Sequence, residues 1–99
     1  MNIMKEINYK NKTIKLPWKF ANKTLTTDMV TRTNPFSGQS IELPHFAGEI
    51  YDIIIEFNLR AERYDAKHGM GTASLWDQVR KGLDWYRRHF AKEYMVLLD

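Results

Sequence analysis

His45, Glu49, Asp52 and Glu56 recur at intervals of four, three and four residues, which places them on one face of a helix. Oxygen-rich side chains in that pattern can hold a divalent cation, and a carboxylate-held metal would suit a phosphohydrolase acting on nucleotides. The same spacing describes the polar stripe that any amphipathic helix carries, and Glu56 with Arg60 is an ordinary i,i+4 pair. A metal site of this type also needs acids from a second helix, and the next one offers only Asp77 and Asp84. The solvated face is the preferred reading, with the carboxylate-metal hydrolase as the alternative.

Other chemistry is sparse. There is no cysteine, which excludes disulfides, thiolate metal sites and thiol nucleophiles. His45, His68 and His89 are too far apart for a zinc-type pair, and no Gly-x-Ser-x-Gly elbow is present. Gly69-Met70-Gly71 lacks the Lys-Ser/Thr ending of a phosphate loop. The chain is therefore expected not to be an enzyme and to carry no cofactor.

Two basic clusters remain. Lys5, Lys10, Lys12, Lys15, Lys19 and Lys23 interleave with Tyr9, Trp18 and Phe20. Within this set Lys10, Lys12, Lys15, Tyr9 and Trp18 make a candidate nucleic-acid surface, with lysines for phosphate and rings for base stacking. Lysines also occupy edge hairpins simply to discourage pairing with other chains. The second cluster, Arg80, Lys81, Arg87, Arg88 and Lys92, is diluted by Asp77, Asp84 and Glu93 and suits an acidic partner better than DNA. Trp85 falls off the Leu75, Val79, Leu83 and Phe90 stripe, and Trp and Arg are enriched at binding hot spots. Trp85, Arg88, His89, Lys81 and Lys92 are thus the candidate interaction surface; the competing reading packs Trp85 beneath the first hairpin.

The elements that must position these residues follow from patterning. Ile3 to Tyr9 and Thr13 to Leu16 nearly alternate around Lys10-Asn11-Lys12 and predict a β-hairpin that Pro17 closes, with Trp18 and Phe20 as anchors to the core. Met29 to Thr33 and Ser40 to Leu43 flank Asn34-Pro35-Phe36-Ser37-Gly38, which suits a type I turn followed by a left-handed residue. Pro44 suits a first helical turn, and Phe46, Ala47, Ile50, Tyr51, Ile53, Ile54, Phe57, Ala61 and Tyr64 then recur at helical spacing until Lys67-His68-Gly69-Met70-Gly71. Ser74 with Asp77 resembles a capping box and opens a second helix to about His89, in which Gly82 would permit close approach to the first. Residues 94–99 are apolar and short enough for either a last helical turn and a half, the preferred reading, or an edge strand. The expected fold is α+β, with short N-terminal hairpins in a small antiparallel sheet packed on two C-terminal amphipathic helices.

With 99 residues, 43% of them apolar, the chain is expected to form one domain spanning 1–99 with a core of its own. Its small size leaves room for a partner or a second copy to add stability. Net charge is +3 but uneven, at +5 over residues 1–33, −4 over 34–66 and +2 over 67–99. The N-terminal Met1 to Glu6 lacks the apolar core of a secretion signal, and no long apolar run is present, so a cytoplasmic location away from membranes is expected.

Asn34-Pro35-Phe36-Ser37-Gly38 with Leu43-Pro44 and Tyr51-Asp52, and the tail from Gly82-Leu83-Asp84-Trp85-Tyr86-Arg87 through Lys92 to Asp99, resemble segments of small accessory proteins encoded by tailed bacteriophages. The resemblance spans residues 34–99 and carries no catalytic residue. It implies a protein that acts in the host cytoplasm by binding a host protein or host signal and blocking or sequestering it.

Overall fold

The computed structural model describes residues 3–21, 23–68 and 73–99. Strand β1 (Ile3–Tyr9) turns directly into β2 (Lys12–Ala21), and Lys10 and Asn11 between them both have positive φ, at 50° and 63°. A two-residue connection with both φ values positive is a type I′ turn, whose twist matches that of the flanking strands. The register runs Tyr9 to Lys12, Ile7 to Ile14 and Glu6 to Lys15, then resumes at Met4 with Phe20. Lys5 alone therefore spans the stretch opposite Leu16, Pro17, Trp18 and Lys19. Pro17 does not close the second strand, as its missing N–H led us to expect; it sits inside an enlarged bulge where no ladder hydrogen bond is required, and β2 continues beyond it.

The second hairpin joins β3 (Met29–Thr33) to β4 (Ser40–Pro44) in the register Val30 with Leu43 and Arg32 with Ile41. Its turn is built by Asn34, whose Oδ1 accepts from the N–H of Phe36 at 2.8 Å while its main-chain carbonyl accepts from Gly38 at 2.9 Å. Gly38 takes φ 75°, the left-handed position expected there. The Asn34 amide in turn donates to the carbonyl of Val96 at 3.0 Å, tying this loop to the C-terminus.

Helix α1 (His45–His68) starts immediately after Pro44, which ends β4 rather than opening the helix. The exposed donors at the helix start are met by the connector after β2: His45 N–H donates to the Asp28 carbonyl at 2.7 Å and Phe46 N–H to that of Thr26 at 3.0 Å. Helix α2 (Ala73–His89) follows, and Trp76 Nε1 donates to Asp65 Oδ2 at 2.9 Å, clasping the end of one helix to the start of the next. Gly69 and Gly71, expected to end the first helix, lie outside the described residues. Asp77 of the expected capping box pairs with Arg80 at 3.3 Å. The tail forms a third short helix, α3 (Ala91–Leu97), set off from α2 at Phe90.

The fold is α+β, in two separate two-stranded antiparallel sheets rather than one. A single core joins them: Phe46, Ala47, Ile50 and Ile54 of α1 meet Val79, Trp85 and Tyr86 of α2 together with Phe90, Leu43, Ile14 and Phe20. Each large side chain buried there contributes about 1.5–3 kcal/mol relative to exposure. Gly82 delivers the close approach its position implied, since a Cβ there would lie 2.5 Å from Ile54 Cγ1 and 3.0 Å from Trp18 Cη2. Among the described residues, no helix is long and apolar enough to cross a membrane.

Candidate binding groove

Residues of the two hairpin strands separated by the bulge meet one face of α2 across a groove of about 660 Å³. Lys5, Glu6, Lys15, Leu16, Pro17, Trp18 and Lys19 form one wall, and Lys81, Asp84, Trp85, Arg88 and His89 form the other. The helical wall follows from spacing: 81, 84, 85 and 88 lie three to four residues apart and share one face. The hairpin wall follows from the bulge, which bends the strand and turns the Leu16 to Lys19 segment toward the helix.

One hydrogen bond fixes the two walls. Counting from the turn, Tyr9 with Lys12 and Ile7 with Ile14 are the hydrogen-bonded pairs, so the carbonyl of Lys15 points outward from the hairpin. Trp85 Nε1 donates to that carbonyl at 2.7 Å. Trp85 is only 7% exposed, with its ring edge-on to Phe46 at 6.3 Å and Tyr86 at 5.2 Å. It is therefore no solvent-facing hot spot; it packs beneath the hairpin and supplies part of the groove floor.

Charge distinguishes this groove. Lys5, Lys15, Lys19, Lys81 and Arg88 face Glu6 and Asp84, a local excess of three positive charges. None of the five cations forms an ion pair with an acid among the described residues, whereas Asp84 is already bound to Arg87 at 2.5 Å. His89 lies 5.5 Å from the Trp85 ring, and desolvation, then the charge of Arg88, lowers its pKa from the ordinary value. The groove is thus an anion-attracting trough with an apolar floor.

The residues read from sequence distribute unevenly over the fold. Lys81, Arg88 and His89 come together with Trp85 as expected, but Lys92 lies on α3, beyond the break at Phe90, and lines no part of the groove. Of the residues assigned to nucleic acid, Lys15 and Trp18 join this groove. Lys10 and Lys12 stay at the hairpin tip, and Tyr9 is turned into the core against Phe46 at 5.5 Å and Phe90 at 6.1 Å. Tyr9 is half-buried there, which leaves only part of its ring for a base. The two basic clusters, read separately along the chain, therefore form one site in part, and Lys5 and Lys19 complete it. The signal for this was Pro17 within a strand pattern, which marks a bulge.

The acidic stripe has a different use. Arg32 on β3 donates to both oxygens of Asp52, Nε at 3.0 Å and Nη2 at 2.9 Å, and approaches Glu49 at 3.9 Å. Lys23 lies 3.5 Å from Glu49, and Arg60 holds Glu56 at 2.6 Å. His45 Nδ1 accepts from the N–H of Thr26 at 3.2 Å, which leaves its proton on Nε2, 3.5 Å from Glu49. Among the described residues, no three His, Asp or Glu side chains converge where a metal ion could sit. Asp52 and Glu49 hold the second hairpin against α1 through Arg32, Glu56 is engaged by Arg60 within α1, and His45 binds the connector at Thr26, so the carboxylate-metal reading is set aside.

Two tyrosines are held protonated. Tyr86 is fully buried, its hydroxyl donates to the carbonyl of Ala47, and burial drives its pKa far up. Tyr51 donates to the Thr33 carbonyl at 3.4 Å and is raised by desolvation, then by Asp52. Both act as donors that lock helices to their neighbours. Comparison with family models, curated proteins and solved structures returned no match for this chain.

Proposed function

We propose that this protein is a binding module that docks an acidic surface of a protein partner into the groove between the bulged hairpin and α2. The observation that carries the reading is the convergence of Lys5, Lys15 and Lys19 with Lys81 and Arg88 over an apolar floor, where they outnumber Glu6 and Asp84 and none of the five is ion-paired among the described residues. Cations without an internal ion pair keep their charge for an incoming carboxylate, with no existing pair to break, and they speed encounter with an acidic patch. The resemblance of residues 34–99 to phage accessory proteins, which implies a host protein or host signal as the target, supports a host protein as the partner, blocked or sequestered in the host cytoplasm.

The test is an affinity pull-down of tagged protein from bacterial lysate, treated with nuclease, with wild type compared against Lys81→Glu combined with Arg88→Glu. Both positions are exposed, so the reversal leaves the core intact. A protein retained by wild type after nuclease and lost from the double variant is the expected result. Retention only of nuclease-sensitive material would move the function to nucleic acid, and a partner held equally by the double variant would remove the groove from it.

A further inference from the structure

A second, smaller groove of about 280 Å³ lies on the other side of Trp18, lined by Trp18, Phe20, Ile53 and Phe57 with Ala21, and with Lys19 and Lys23 at its rim. Trp18 and Lys19 belong to both grooves, so the two lie side by side at the bulge. Trp18 stands as the divider, edge-on to Phe57 at 5.8 Å and to Phe20 at 6.3 Å. The chemistry changes across it. The first groove has five cations, whereas the second is walled by apolar side chains and its Lys23 is engaged by Glu49 at 3.5 Å.

From this we infer that the ligand is bipartite: an extended acidic peptide segment in the first groove, followed by one bulky apolar side chain seated between Phe20, Ile53 and Phe57. The inference rests on the reading that the first groove docks a protein. Charge complementarity selects the acidic part, and the adjacency of the two grooves at Trp18 and Lys19 places an anchor on the same chain within reach. A single strand of about ten residues reaches roughly 33 Å when extended, enough to run along both. Nucleic acid would also gain from the cations and could stack a base on the rings of the second groove, so a single-stranded oligonucleotide is the competitor in the test.

The experiment is a fluorescence-anisotropy titration with three labelled synthetic peptides of about ten residues. The first is glutamate-rich with one leucine near its end, the second has that leucine replaced by serine, and the third keeps the leucine but has glutamines for glutamates. The first should bind at least about 10-fold more tightly than the second, because burying one large apolar side chain is worth that much. The third should lose nearly all binding.

Ile53→Asp, checked for folding by circular dichroism, should make the first two peptides bind alike. Lys19→Glu, an exposed change at the junction, should weaken both. Equal binding of the first two peptides to wild type overturns the bipartite ligand, as does failure of the anchored peptide to bind. So does a single-stranded oligonucleotide that binds as well and ignores Ile53→Asp. In each of those cases a nuclease-resistant partner that is lost with Lys81→Glu and Arg88→Glu would leave the docking function standing.

Discussion

The indole N–H of Trp85 donates to the main-chain carbonyl of Lys15 at 2.7 Å, a contact between residues 70 positions apart in sequence. It occupies an outward carbonyl on the edge of β2 and so does two jobs at once. It blunts the strand edge against pairing with other chains, and it sets the distance between the two walls of the basic groove. Trp85→Phe keeps the ring packing and removes only the donor. We expect a loss of about 1 kcal/mol in chemical denaturation, because a part-buried hydrogen bond is removed, together with weaker binding to any groove ligand. Unchanged stability and affinity would mean that ring packing alone holds the walls.

Gly82 is the point where α2, α1 and the hairpin meet. A methyl group there would sit 2.5 Å from Ile54 Cγ1, 2.8 Å from Ile54 Cδ1 and 3.0 Å from Trp18 Cη2. Alanine would gain about 1 kcal/mol in helix propensity at an unhindered site, but overpacking costs about 1–3 kcal/mol and involves two rigid neighbours here. Gly82→Ala should therefore lower stability, shifting Tm down by about 4–8 °C for each kcal/mol of net loss. Adding Ile54→Val removes one of the clashing atoms, so the double variant should be more stable than the sum of the single effects predicts. A Tm increase for Gly82→Ala would show that the helices are not held this close.

The ion-pair network on α1 makes a sharp prediction about metals. With Arg32 bound to both oxygens of Asp52 and near Glu49, the carboxylates have no vacancy for a cation among the described residues. Mn²⁺ or Mg²⁺ should leave the thermal midpoint unchanged. Arg32→Leu should cost about 1–2 kcal/mol, since it strips a bidentate partner from two acids at the hairpin–helix contact. A clear metal-dependent rise in Tm of the wild type would restore the cation reading of this stripe.

Much of this architecture was legible in the chain and some of it was not. The buried face of α1 appears directly in the spacing of Phe46, Ala47, Ile50, Tyr51, Ile54 and Ala61, because a helix's periodicity is local. The Asn34 turn was legible for the same reason. Pro17 was misjudged because a proline stops a strand only where its N–H is needed, and that depends on what lies opposite. The groove was harder still: Lys15 and Trp85 are ordinary in their own segments, and only a contact spanning 70 residues makes them neighbours. Tyr9 looked like a stacking platform beside lysines, yet its strand face is the one that meets Phe46 and Phe90.

His89 gives the groove a pH dependence whose sign can be worked out. Desolvation, then Arg88, holds its pKa in the folded protein below the ordinary 6.5. As pH falls below 6.5 the unfolded chain takes up the proton first, so stability declines through the window between 6.5 and the lowered folded value, and rises again with pH across it. Binding behaves oppositely. Carboxylates placed in the groove favour the protonated imidazole and raise its pKa, so complex formation takes up a proton. Affinity for an acidic peptide should then increase as pH drops from about 7.5 toward 6, well above the range near 4 where the peptide's own carboxylates protonate. His89→Gln should flatten both profiles, and a wild-type affinity that ignores pH in this interval would place the bound carboxylates away from His89.

A change at the hairpin tip distinguishes docking through the groove from phosphate recognition by the same strands. Lys10 and Asn11 hold φ values of 50° and 63°, a conformation that Asn-Gly adopts with little strain and that costs lysine on the order of 1 kcal/mol. Replacing the pair by Lys10→Asn and Asn11→Gly should raise stability by about 1 kcal/mol, less a few tenths for losing the Lys10 ammonium that sits 5.3 Å from the Tyr9 ring. The same change removes one cation from the tip while leaving Lys5, Lys15, Lys19, Lys81 and Arg88 in place. Docking through the groove predicts a more stable protein with undiminished affinity for the acidic peptide. Phosphate recognition by Lys10, Lys12 and Lys15 predicts instead a weaker complex with oligonucleotide and a salt dependence reduced by about one charge, and measuring both affinities against salt on this one variant decides between them.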